Sequence, residues 1–177
     1  MSVQLFGIDP YFSSGKYQVR KLENEDIEAV YTLCQSNPQF YEYHPPFVTR
    51  ESILEDTAAL PPGKVMADKH FMGFWKDGVL TAILDLIVNY PQEKTAYIGL
   101  FMTDAVCQNR GVGSEIIQEL AAILAAGGFE KIRLAIDEGN PQSETFWLKN
   151  HFVKTGESYP AELSTYIPME RVLNTVD

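Results

Sequence analysis

QNRGVGSEIIQEL, residues 108–120, sets Gly111 and Gly113 one residue apart directly before an amphipathic run. Ile116, Ile117, Leu120, Ile123 and Leu124 share one stripe at helical spacing, and Gly127 and Gly128 stop it. The first N–H groups of such a helix have no acceptor within it, and the aligned peptide dipoles place partial positive charge at that end. The turn is therefore a ready site for an anion. Which anion depends on the rest of the chain.

The 177 residues, 45% of them apolar and 12% aromatic, suffice for one well-packed core and fall short of two, so a single domain over 1–177 is expected. MSVQLFGIDP, at the start, lacks a basic segment followed by an apolar run, and no stretch reaches bilayer-spanning length; the expectation is a cytoplasmic chain with no membrane partner. Cys34 and Cys107 are too few for a disulfide framework and show no metal spacing, so they read as buried or incidental thiols, with no metal site. A net charge of −10 argues against nucleic acid, whose phosphates need clustered Lys and Arg. Small molecules and proteins remain as partners. The same charge opposes a polyanion at long range, so one would have to be held by local amides and a few basic groups.

Upstream, Tyr17 to Leu22 alternate as a strand, and NEDIEAVYTLC offers acids ahead of Ile27, Val30, Tyr31 and Cys34 on one helical face. NPQFYEYHPPF, with four aromatics, reads as a loop, after which Thr49 caps the helix RESILEDTAAL that Pro61, Pro62 and Gly63 end. HFMGFW and VLTAILDLIV flank Asp77-Gly78 as a hairpin. TAYIGLFMT, apolar almost throughout, predicts a strand covered on both faces in the middle of a mixed sheet. Beyond the opening motif, KIRLAID alternates as a strand, Asn140 and Pro141 start a helix running to about His151, and Tyr166, Ile167, Met169 and Val172 add one or two strands. The order is βαα, three β, then αβαβ.

Three kinds of loop put glycines at a helix start. A P-loop needs a lysine before its Ser or Thr, and here Ser114 follows Gly113 directly. A dinucleotide fingerprint needs three glycines, and Gly111, Gly113 and Ile116 supply two, although Asp137 after the next strand stands where a ribose partner would; the upstream elements are also antiparallel rather than parallel. The third fits more of the chain. Gln108-Asn109-Arg110-Gly111-Val112-Gly113 resembles the Q/R-x-x-G-x-G/A pyrophosphate loop of the GNAT superfamily of acyl-CoA-dependent N-acyltransferases, on the strand, loop and helix that family uses. NPQSETFWLKNHF, residues 140–152, resembles that family's later segment, in which an Asn opens a helix carrying an aromatic pair and ending in Gly-Phe. The resemblance spans roughly Tyr17 to Glu157, and residues 96–152 are its specific part.

The resemblance implies an α+β fold, a GNAT-like, mostly antiparallel mixed sheet flanked by about four helices. It implies an N-acetyltransferase moving an acetyl group from acetyl-CoA to a primary amine of a small molecule or protein by direct attack in a ternary complex; such domains often pair as homodimers. It places the cosubstrate on Gln108, Asn109, Arg110, Gly111, Val112, Gly113 and Ser114, on Phe101, Met102 and Thr103 of a bulged fourth strand, and on Asn140 and Trp147. Gly111 and Gly113 let the backbone approach a diphosphate closely. The Met102 amide is the expected donor to the acyl oxygen. Relatives carry a proton-donating Tyr where this chain has Trp147, whose indole N–H only donates, and His151 stands for the usual Gly. That departure keeps open a noncatalytic acyl-CoA-binding module. Asp85, an acid inside an apolar strand, needs either a hydrogen-bonding partner or a purpose as general base; Tyr97 is either a proton relay or core filling. Tyr41, Tyr43, His44 and Phe47 are the expected wall of the acceptor site, or else fasten their loop to the sheet.

Overall fold

Asp77 and Gly78 both adopt positive φ, 51° and 78°, the backbone of a tight hairpin turn, and join β2 (Lys69–Lys76) to β3 (Val79–Val88) in a computed structural model that describes residues 16–174. The remaining residues of the expected 1–177 domain lie outside those described. β4 (Thr95–Thr103) pairs antiparallel with β3, and β5 (Lys131–Asp137) runs parallel to β4. With β1 (Gln18–Lys21), β6 (Val153–Lys154) and β8 (Thr165–Val172) the sheet order is β1-β2-β3-β4-β5-β8-β6, and β7 (Tyr159–Pro160) pairs with β8. This is the expected mixed, mostly antiparallel α+β sheet, with β4 at its centre.

Helices cover both faces. α1 (Ile27–Gln35) and α3 (Arg50–Ala58) bring Val30, Leu33, Cys34 and Ile53 into one apolar cluster with Phe71, Ile83 and Met102. Thr49 caps α3 as expected, its hydroxyl accepting from the Ser52 amide at 3.0 Å. α4 (Val112–Ala126) commits Ile116, Ile117, Leu120 and Leu124 to a second cluster with Phe74, Leu84, Ile132 and Leu134, which Trp147 of α5 (Pro141–Lys149) and Phe152 complete. At the end of α4, Gly128 takes φ 85° and the Phe129 amide donates back to Leu124 O at 3.0 Å.

The short strands β6 and β7 were not expected, and two helices also differ from the sequence reading. Residues Pro38–Tyr43 form a short helix, α2, where a loop was expected. Pro38 presets the first helical φ, and four aromatics with Pro45-Pro46 masked that start signal. α5 ends at Lys149, short of His151, whose φ of 70° makes a left-handed turn of the kind glycine usually supplies after a helix.

Asn140, 1% exposed, opens α5 by accepting from the Gln142 and Ser143 amides at 3.1 and 3.2 Å. Asn140→Ala should therefore lower stability by about 1–2 kcal/mol. Chemical denaturation would show it as a lower midpoint with an unchanged slope; an unchanged midpoint would mean the cap contributes nothing.

Candidate active site

The site begins where two strands part. β4 and β5 are paired only from Thr95–Lys131 to Ile98–Leu134, and β5 then continues against β8 alone. Across the sheet, Leu86 faces Ile98 while Asp85 faces Leu100, so Gly99 is an extra residue that bulges β4 at the fork. Beyond it the register is regular. The Asp104 amide donates to Thr81 O at 2.8 Å, so in this antiparallel ladder Met102 also turns its amide and carbonyl toward β3. Phe101 and Thr103 turn theirs into the fork. The Thr103 carbonyl confirms that direction by accepting from Asn37 Nδ2 at 3.0 Å.

A cleft of about 670 Å³ fills the fork. Phe101, Met102 and Thr103 line it from β4, Asn109, Gly111, Val112, Gly113 and Ser114 from the start of α4, and Phe146 and Trp147 from α5. Gly111 caps α4 with φ 79° and Asn109 has φ 60°, a left-handed pair that turns the chain into the helix. The amides of Val112, Gly113 and Ser114 thus stand at the helix start without intrahelical acceptors. Gly113 has a second constraint: a Cβ there would lie 3.0 Å from Phe146 Cε2. Arg110 is exposed beside this turn and forms no ion pair among the described residues.

Several residues that line or frame the cleft serve to hold it open. Gln108 donates to Asn37 Oδ1 and accepts from Gln142 Nε2 at 3.1 Å, tying the starts of α2 and α5 across the mouth. Asn140 is buried as the α5 cap and does not line the cleft. Asn150, which carried no sequence signal, is 1% exposed and binds Ser114 Oγ, Phe146 O and Gln118, locking α4 to α5. Trp147 is buried, with its ring 6.0 Å from Phe101 and 5.0 Å from Phe152.

On the other side of β4 lies a smaller cavity of about 120 Å³. Its walls include Tyr41, His44, Pro45, Pro46, Asp56 and Leu100. Leu100 lines this cavity and its neighbour Phe101 lines the larger one, so β4 separates the two just past the bulge. Tyr41 and His44 of the expected acceptor wall are thus brought together. Tyr43 and Phe47 do not line this cavity, although the Phe47 ring packs 5.2 Å from Tyr41. His44 Nδ1 lies 3.1 Å from both oxygens of Asp137 at the end of β5. That carboxylate raises the imidazole above its usual pKa. Partial desolvation at the cavity wall raises Asp56, which stays exposed, and the nearby Asp85 charge adds to the shift. Burial also lifts the Cys34 thiol to about 11, which leaves it unreactive.

Asp85 has the partner an acid in such a strand requires: Lys69 Nζ, 2% exposed at the side chain, donates to its Oδ2 at 2.8 Å. Burial still holds the carboxyl above the usual range, with Lys69 opposing. Oδ1 is buried with no hydrogen-bond partner among the described residues. Tyr97 lines neither cavity; it precedes the bulge, packs edge-on against Tyr90 at 5.4 Å, and has its hydroxyl pKa raised by burial. The described residues include no cluster of His, Cys, Asp and Glu arranged to hold a metal, and no helix among them is long and apolar enough to cross a membrane.

Comparison with known proteins agrees with this geometry. The acetyltransferase (GNAT) family model matches residues 25–152. No curated protein sequence matches. Among solved structures, an acetyltransferase from Thermus thermophilus superposes with a TM-score of 0.70 at 17% identity, covering 89% of this chain and 97% of that one. The ribosomal-protein-S18-alanine N-acetyltransferase of Escherichia coli gives 0.65 at 15% identity, covering 91% and 96%. The PaiA N-acetyltransferase of Thermoplasma acidophilum, solved in complex with coenzyme A, gives 0.64 at 18% identity, covering 88% and 98%. With a family match over most of its length and a forked sheet that opens onto a glycine-led helix, the chain belongs to the GNAT acetyltransferase family, the acyl-CoA-dependent N-acyltransferases.

Proposed function

We propose that this chain transfers the acetyl group of acetyl-CoA to a primary amine of a small molecule, by direct attack while both are bound. The supporting observation is the fork: β4 leaves the Phe101 and Thr103 backbone groups facing a cleft whose far wall is the amide-bearing start of α4. The residues present suit coenzyme A. The amides of Val112, Gly113 and Ser114 would hold its diphosphate, Arg110 would add charge, and Phe101, Thr103 and Trp147 would border the pantetheine arm. Acetyl-CoA supplies the thioester at which the amine is acylated.

In this reading the Phe101 amide, rather than that of Met102, is the donor aimed at the acyl oxygen, because Met102 spends its amide on β3. Trp147 orients by packing and carries no proton. Asp85 and Lys69 set the bulge in place from behind, with Oδ2 only 3.0 Å from where a Cβ of Gly99 would be. The size of the second cavity supports a small acceptor, and Asp56 at its wall suits a cationic one.

Calorimetry with acetyl-CoA, followed by thiol release against a panel of primary alkylamines and free-N-terminus peptides, tests this. Binding and release with small amines are expected. No heat at millimolar acetyl-CoA would overturn the cosubstrate assignment, and release with peptides alone would overturn the acceptor class.

A further inference from the structure

A carboxylate and an imidazole meet across the fork although 93 positions separate them in the chain. Asp137 is buried and ends β5, where β4 has already turned away. One of its oxygens accepts from Ser164 Oγ at 2.7 Å, and both lie 3.1 Å from His44 Nδ1. Because a carboxylate only accepts, Nδ1 carries a proton, and in the neutral ring it is Nε2 that keeps the lone pair. Phe40 and Tyr166, with ring centroids 5.3 and 6.3 Å from the imidazole, flank it and limit its rotation. Its side chain is still 43% exposed, and His44 is among the residues that line the smaller cavity, as is Leu100.

We infer that His44 is the general base of this acetyltransferase, taking a proton from the acceptor ammonium at Nε2, and that Asp137, steadied by Ser164, is the positioning residue that fixes its tautomer and orientation. This rests on the function proposed above. The competing acid, Asp85, is already committed to Lys69 and lines neither cavity. The step balances: the N–H bond of R–NH3⁺ breaks, its electron pair stays on nitrogen as the nucleophile, and the proton forms a new bond to Nε2. The imidazolium so formed is stabilised by the Asp137 carboxylate and returns its proton to solvent through the exposed edge of the ring.

The charged and titratable groups facing His44 are Asp137 from β5, Asp56 from α3, Tyr41 on its own helix and Tyr166 from β8. The carboxylates favour the imidazolium, so the base form appears only as pH rises through a value above the ordinary histidine range. kcat/KM should therefore climb with pH through that value and then level.

The test combines NMR titration of the His44 ring with pH–rate profiles of the wild type, His44→Gln, His44→Ala and Asp137→Asn. The His44 pKa should fall in Asp137→Asn, and the rising limb of kcat/KM should move to lower pH with it. His44→Gln should lose roughly 10²- to 10⁴-fold in kcat and lose that limb, and free imidazole should restore part of the rate to His44→Ala. Acetyl-CoA affinity should be unchanged in every variant. A His44→Gln enzyme that binds acetyl-CoA and keeps both rate and limb would overturn the inference while leaving the proposed function intact. Failure of the wild type itself to bind acetyl-CoA would overturn that function instead.

Discussion

Gly113→Asp should weaken acetyl-CoA binding by at least about 100-fold while the protein stays folded. Two effects combine. A Cβ at this position would sit 3.0 Å from Phe146 Cε2 and 3.6 Å from Phe101 Cε1, so the rings that border the cleft must shift. A carboxylate beside the first amides of α4 also opposes a diphosphate at short range, where an effective dielectric near 20 makes a like-charge pair at about 4 Å cost about 4 kcal/mol. Companion variants separate the two. Gly113→Ala keeps the steric change without charge, whereas Gly111→Asp adds the charge where a Cβ meets open space, at the strain of a φ of 79°. The charge component should shrink as salt rises. Calorimetry on each variant reads all of this, and wild-type affinity in a folded Gly113→Asp would remove the diphosphate from the α4 turn.

Lys69→Met should destabilise the fold by about 3–5 kcal/mol at neutral pH, because it leaves the Asp85 carboxylate buried without its counter-ion. The sign of the pH dependence follows from Asp85. Its folded-state pKa is already raised by burial and would rise further without the lysine, so the folded state binds the proton more tightly than the unfolded state. Stability lost at neutral pH should return as pH falls through the raised folded value toward the unfolded carboxylate range. The double variant Lys69→Met with Asp85→Leu should recover most of the loss at every pH, since a buried pair exchanged for apolar groups is often neutral. Denaturant titrations from acid to neutral pH provide the measurement. A pH-independent loss, or a double variant worse than the single, would show that the pair matters for its shape rather than its charge.

The elements with strong local signals were legible from the sequence. The Asp77-Gly78 turn, the Thr49 cap, the Asn140-Pro141 start and the glycine-led α4 all stand where their residue types placed them. These features are settled within a few residues of chain, as are caps and turns generally. What was missed depends on distant partners. Pro38–Tyr43 is too short a helix to show an amphipathic period, and only the Asn37-Pro38 pair hinted at it. The Lys69–Asp85 pair needs the β2–β3 register, which pairs Lys69 with Ile87 and Phe71 with Asp85 and so places the lysine across from the acid diagonally. Asp137 drew notice only as a ribose partner in a dinucleotide reading, and its real neighbour, His44, lies 93 residues away.

The cleft was readable as a motif but its donors were not. Which β4 amides face the fork depends on where the Gly99 bulge shifts the register, and a one-residue shift exchanges the roles of Phe101 and Met102. Asn150 and Asn37 joined the site for a similar reason. Each is a small polar residue whose use becomes visible only when two helices, or a helix and a strand end, converge on it.

The main-chain amides opening α4 are the anchor for everything proposed about this enzyme, and a crystal structure grown with acetyl-CoA examines that anchor directly. The diphosphate should lie on Val112, Gly113 and Ser114, with the pantetheine arm running along the Phe101–Thr103 edge of the fork. Coenzyme bound anywhere else on the protein, with the α4 turn left vacant, would contradict the account.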